Sequence, residues 1–111
     1  MIATGEIEEI LSLYHKHGWI LRRVLLSAKL DQKLGDKKDA LFGDVAVTTF
    51  KIDAAWFSRP PQKGGVAWEI RHLGIPPFAL LEKVDESDPD LETTLHAVQQ
   101  RLHDWVTAKR L

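Results

Sequence analysis

The chain has no cysteine, one methionine and one tyrosine among 111 residues. Lacking cysteine, it has no disulfides, no thiolate chemistry and no cysteine-ligated zinc or iron-sulfur centre. It also lacks a long apolar run, since no stretch approaches the roughly eighteen residues of a membrane span. The opening MIATGEIEEI has no basic segment leading into an apolar one, as a signal peptide does. Together these absences predict a cytoplasmic protein without membrane association. An excess of charge of one sign is missing too. Fifteen Lys and Arg against sixteen Asp and Glu give a net charge of -1, so nothing in the overall balance draws the chain to nucleic acid. The one basic concentration, Arg22, Arg23, Lys29, Lys33, Lys37 and Lys38, is diluted by Asp31, Asp36 and Asp39 and reads as a solvated face.

The common chemical motifs are absent as well. Gly64-Gly65 lies between strand-like segments rather than before a helix, where a phosphate loop belongs. Ser12, Ser27, Ser58 and Ser87 carry no surrounding nucleophile motif. His15 and His17 are two apart, His96 and His103 seven apart, and no histidine pair has the i, i+4 spacing of a helical metal site. Asp85 to Asp90 lacks the glycine and distal glutamate of a calcium loop. The residues by themselves call for no cofactor.

What is present describes an ordered protein. With 44% hydrophobic and 28% charged residues, the chain is expected to form a single α+β domain over residues 1–111 around one core. Ile7, Ile10, Leu11 and Tyr14 fall at helical spacing behind Glu6, Glu8 and Glu9, and Gly18 ends that helix in a left-handed cap. Trp19 to Leu26 reads as a strand, with a continued helix as the competing assignment. Ser27 to Asp44 reads as a short helix and an exposed, mobile loop. Val45 to Arg59 and Val66 to Leu73 read as strands joined by the turn Pro60-Pro61-Gln62-Lys63-Gly64-Gly65. Phe78 to Val84 is a further strand. The last helix opens on Asp88-Pro89, with Asp90 and Glu92 favourable at its start and Lys109 and Arg110 at its end. The expected plan is α-β-(α)-β-β-β-α, a two-layer fold with a three-stranded, mainly antiparallel sheet segment.

In the hairpin, placing Ile52, Ala54 and Trp56 with Val66, Trp68 and Ile70 on the core face gives the cleanest separation of apolar from charged residues. Pairing Trp56 directly with Trp68 then sets Asp53 opposite Arg71 and Ala55 opposite Glu69. Asp53, Glu69, Arg71 and Arg59 form a charge ladder on the outer face, beside an exposed Phe57.

The same residues carry a resemblance. A helix with early glutamates, Gly18-Trp19 leading into a strand, then Ile52-Asp53 and Trp68-Glu69-Ile70-Arg71, resembles the core of PD-(D/E)XK nucleases over residues 5 to 72. The resemblance implies that Asp53 and Glu69 hold a divalent metal such as Mg2+. Arg71 then stands where that family has a lysine, and Glu6 or Glu9 matches a helix glutamate. Beyond Arg71 a proline break leads into another strand, where that family has a helix.

The last helix adds a narrow stripe, Leu91, Leu95, Val98, Leu102 and Trp105, that packs on the domain's own sheet or against a second subunit. Four tryptophans also suit a pocket of a regulatory small-molecule sensor. The favoured reading is a non-enzymatic binding or interaction module, with an unknown protein or a second copy of itself as partner in a homodimer. The alternative is a metal-dependent nuclease or its relic, with Asp53, Glu69 and Arg71 as the site.

Overall fold

The computed structural model describes residues 1–61 and 63–109. Gln62 of the predicted turn, the Lys109 side chain and Arg110 therefore lie outside the described residues. The elements run α1 (Thr4–Lys16), β1 (Ile20–Leu26), α2 (Ala28–Leu34), α3 (Lys37–Phe42), β2 (Ala46–Thr49), β3 (Ala54–Ser58), β4 (Val66–His72), β5 (Ala79–Val84) and α4 (Leu91–Lys109). They form an α+β fold on one five-stranded mixed sheet in the order β2-β1-β3-β4-β5, with β1 and β2 parallel and the other neighbours antiparallel. The expected three-stranded segment is a coarser version of this sheet, whose antiparallel part is the four strands β1, β3, β4 and β5.

Helix ends form where local chemistry calls for them. The Gly18 N–H donates to the His15 carbonyl and the Trp19 N–H to that of Tyr14, both at 3.0 Å. This is the paired C-terminal cap that needs a left-handed residue, and Gly18 supplies it at φ +86°. The Trp19 and Tyr14 rings close the cap edge to face, 6.1 Å apart. At the last helix, Asp88 Oδ1 accepts from the Asp90 N–H at 2.8 Å, so Asp88 caps a first turn that becomes regular helix from Leu91.

Two predicted segments divide differently. Val45 to Arg59 is two strands. β2 runs parallel to β1 at the sheet edge, and the chain then crosses the end of β1 to reach β3 on its other side. The crossing is held by Phe50 N–H donating to the Leu26 carbonyl at 2.9 Å. Between Ser27 and Asp44, the expected exposed loop folds as α3, anchored by the buried ring of Phe42.

The fold is not two-layered, because a core lies on each side of the sheet. On one face Ile7 of α1, Leu30 and Leu34 of α2 and Phe42 of α3 pack on Val24, Leu26, Ala55 and Phe57. On the other, Leu95, Val98, Leu102 and Val106 of α4 pack on Leu25, Ala54, Trp56, Trp68 and Ile70. Phe57, expected on an exposed outer face, is 1% exposed beneath α1. The α4 stripe therefore serves its own sheet, completed by Val106, while Trp105 sits at its flank, 49% exposed.

The hairpin keeps the predicted faces but not the predicted register. Trp56 lies opposite Ile70, Ser58 opposite Trp68, Phe57 opposite Glu69 and Ala55 opposite Arg71. Trp56 and Trp68 are diagonal neighbours, their rings edge to face at 5.9 Å, a separation that aromatic side chains bridge. A backbone carbonyl explains part of the turn: a Cβ at Gly65 would lie 2.8 Å from the Val84 oxygen, so β4 can start there only on glycine.

A bulge in β1 between Leu21 and Arg23 brings two arginines to one site on the α4 face. Arg22 lies 4.6 Å and Arg23 5.6 Å from the Trp68 ring centre. Arg22 also pairs with Glu86 at 3.1 Å, and Arg23 holds Glu92 through two bonds of 2.9 and 2.6 Å. The hydrogen bonds from Arg23 hold the Glu92 carboxyl below the usual carboxylate range. The basic segment at Arg22-Arg23 is thus used within the fold.

Trp56 Nε1 donates to the buried Gln99 side chain at 2.9 Å, whereas Trp68 Nε1 is buried with no acceptor among the described residues. Trp68→Ala is expected to cost about 3–5 kcal/mol through the cavity it leaves. Trp68→Phe should cost clearly less, because it keeps a ring beneath Arg22 while removing an unpaired N–H. Urea denaturation of the two variants checks the order; equal losses would contradict it.

Candidate functional site: a charged cleft beside the first helix

Asp53, Glu69 and Arg71 stand on the sheet face that carries α1. The antiparallel register continues past β3, with the Leu73 N–H donating to the Asp53 carbonyl at 2.8 Å. Glu69 faces Phe57, four positions along from Asp53. At about 3.3 Å per residue, the two carboxylates leave the backbone roughly 13 Å apart, with Arg71 between them. The structure thus brings Asp53 and Arg71 together as diagonal neighbours and does not bring Asp53 to Glu69. No group of three or more His, Asp or Glu among the described residues is placed to hold a metal ion.

The charge ladder does not form either, because each member has another partner. Asp53 Oδ1 accepts from the Ser27 N–H at 2.6 Å, fastening the crossing before β3 to the start of α2, which Ser27 also caps through its hydroxyl. Glu69 accepts from the Tyr14 hydroxyl at 2.5 Å. Arg59 lies over Trp19 at 4.4 Å and donates to the His17 carbonyl. Arg71 donates to the His72 carbonyl and joins none of the ion pairs among the described residues.

Tyr14 is the contact that composition and spacing did not single out. Its position in the apolar stripe of α1 marks it as core, and its ring does stack on Phe57 at 4.0 Å and 12°. Its hydroxyl nevertheless reaches the sheet's charged row. Burial first, and then the Glu69 carboxylate, raises its pKa well above the usual phenol value.

Beyond Glu69 the row opens into a cleft of about 380 Å3 between the N-terminal end of α1, the turn at Asp53 and the β4–β5 connection. Asp53, Arg71 and Glu6 are the acidic and basic side chains that line it, Met1 lies at its wall, and Ile2, Ile10 and Ile75 are among its apolar walls. The connection includes a cis Ile75-Pro76 bond. Beside it the buried His72 ring sets Nδ1 2.6 Å from the Pro76 carbonyl oxygen. Three residues of the nuclease resemblance, Glu6, Asp53 and Arg71, therefore meet in one cavity while Glu69 stands outside it. Ile10 and Ile75 were not legible as site residues, because nothing in a sequence distinguishes an apolar cleft wall from core.

The chain has one tyrosine, so absorbance at alkaline pH reports Tyr14 alone. The folded protein should show no tyrosinate until well above pH 10, where a free phenol ionises. The folded chain holds this proton more tightly than the unfolded chain. Its contribution to stability is therefore complete below about pH 10 and is lost as pH rises further. Tyr14→Phe should remove that part of the alkaline decline; ordinary phenol titration in the intact fold would refute the part-buried pairing with Glu69.

Asp53→Ala should cost about 1–3 kcal/mol, as expected when a charge-assisted bond to a part-buried N–H is lost. Added magnesium or manganese should leave the melting temperature unchanged, whereas a metal site would raise it. A metal-dependent rise abolished by Asp53→Asn would restore the metal reading.

Comparison with protein families, with curated proteins and with solved structures finds no match to this chain.

Proposed function

We propose that the protein is a cytoplasmic binding and interaction module, not an enzyme, and that it acts as a homodimer joined through β5. The observation that carries this reading is the state of that edge. His72 N–H donates to the Phe78 carbonyl, and antiparallel bonding alternates along a strand. Even-numbered residues of β5 therefore bond to β4, and the N–H and C=O groups of Ala79, Leu81 and Lys83 point outward. Exposed apolar side chains surround this edge: Leu81 (58%) on the α1 face, Trp105 (49%) on the α4 face and Ile75 (83%) at the end. Trp105 reaches it through Phe78, at 6.0 Å between rings. An unpaired edge framed by apolar groups favours strand addition.

The partner is a second copy because β5 complements itself. About a twofold axis at Leu81, that residue meets its own mate, Ala79 faces the Lys83 stem and Leu80 faces Glu82, so no like charges oppose one another. The other edge, β2, has four residues against the six of β5 and offers only Val47, 38% exposed, as a large apolar side chain.

A metal-dependent nuclease or its relic is the competing reading. Against it stand the separation of Asp53 from Glu69 along the strands and the arginine in place of the lysine.

Sedimentation at several concentrations tests the proposal, with a dimer expected at micromolar concentration. Leu81→Pro removes an outward N–H that β4 does not use and should yield a folded monomer; Leu81→Lys, which keeps the backbone intact, should weaken the dimer as well. A parent chain that stays monomeric at high micromolar concentration sinks the proposal.

A further inference from the structure

Beyond self-association, we infer that the cleft beside α1 binds a small zwitterion with an apolar body, of the kind an aliphatic α-amino acid provides. Three observations converge on that chemistry.

The first is Arg71. Its half-buried guanidinium lines the cleft with one hydrogen bond to the His72 carbonyl and joins none of the ion pairs among the described residues. A partly desolvated guanidinium facing a cavity is a ready partner for a carboxylate, which it grips through a planar fork. The second is Asp53. Ser27 occupies its Oδ1, and no donor among the described residues meets Oδ2, which leaves an acceptor for an ammonium group, with Glu6 on the same side of the cleft. The third is the spacing. Asp53 and Arg71 are diagonal neighbours across β3 and β4, about 7–8 Å apart at the backbone, and do not pair with each other. A ligand that carries its two charged groups on one carbon fits between them.

The balance of the acidic and basic side chains in the cleft disfavours the simpler ligands. A carboxylate alone would bring a negative group beside Asp53 and Glu6, and an amine alone would leave Arg71 uncompensated and lie close to it. A zwitterion satisfies both signs. Ile2, Ile10 and Ile75 then supply an apolar wall for its body. The volume of about 380 Å3 lies at the small end of ligand clefts.

The test uses the full chain and three probes: leucine, 4-methylpentanoate, which lacks the amine, and 3-methylbutylamine, which lacks the carboxylate. Amide resonances followed by NMR should shift with leucine at residues around Arg71, Asp53, Ile10 and Ile75. Each half-ligand should bind at least about tenfold more weakly. Asp53→Asn keeps an oxygen for the Ser27 N–H while replacing the free acceptor with a donor. It should keep the parent's fold and lose about tenfold or more in leucine affinity. Arg71→Met, which keeps the length of the stem, should do the same. Absence of any leucine-dependent shift at low-millimolar concentration overturns the inference. So does equal binding of either half-ligand, or undiminished leucine binding by folded Asp53→Asn and Arg71→Met. Because Leu81→Pro leaves the cleft untouched, a monomeric variant that still binds leucine separates this site from the subunit contact.

Discussion

All five residues of β3 are buried, and the rest of the structure depends on that constraint. A strand at the middle of the sheet sends alternate side chains into opposite cores. Ala54 and Trp56 meet α4, while Ala55 and Phe57 meet the α1 face. Burying one side would leave Phe57 in water. Burying both requires helices on each face, and their arrangement follows from which strands they connect. The α2–α3 pair is the crossover that parallel strands β1 and β2 need, so it lies over that half of the sheet. Helix α4 follows β5 and lies over β4 and β5 on the other face.

The charges near the sheet follow the same local logic. Half-buried ionic groups are costly without partners, and Asp53 and Glu69 are met by groups other than the nearest opposite charge, a backbone N–H and a phenol, as the exposed Arg59 is by an indole and a helix-end carbonyl. On the α4 face, the bulged pair Arg22 and Arg23 covers Trp68 and reaches outward to Glu86 and Glu92. These arginines act as lids on the core, so their closeness in sequence gives no measure of free positive surface.

The features that depend on neighbouring residues were legible. Gly18 ends α1 and Asp88 opens the turn before α4, because capping is set within a few positions. The faces of Trp56 and Trp68 were legible because side-chain alternation fixes them. Register was not, since a shift of two residues preserves every face and both arrangements bring the tryptophans together. That shift moved Asp53 from opposite Arg71 to diagonal from it and took Glu69 out of its reach, so the candidate site changed although the faces did not. The run Ala54-Ala55-Trp56-Phe57 does carry a signal of two-sided burial, being continuously apolar. Reading it as a one-faced hairpin hid the second layer. The parallel placement of β2 leaves no local trace, since AVTT suits either direction and its partner lies beyond two helices.

Covering each face from opposite ends leaves two diagonal quadrants of the sheet open, and their compositions differ. On the α4 face, β2 presents Ala46 and Thr48 to solvent beside the paired Arg23 and Glu92. On the α1 face, the open quadrant holds Ala79, Leu81 and Lys83, with Ile75 at its end and the Asp53–Arg71 cleft at its border with α1. The polar quadrant can be left to water at little cost, whereas the apolar one holds exposed hydrophobic area next to unpaired strand edge groups. The same absence of a covering helix leaves Arg71 beside a cavity instead of beneath a packed side chain. Edge and cleft are therefore two consequences of one topological fact: among the described residues, the only helices on that face belong to the strands at its other end.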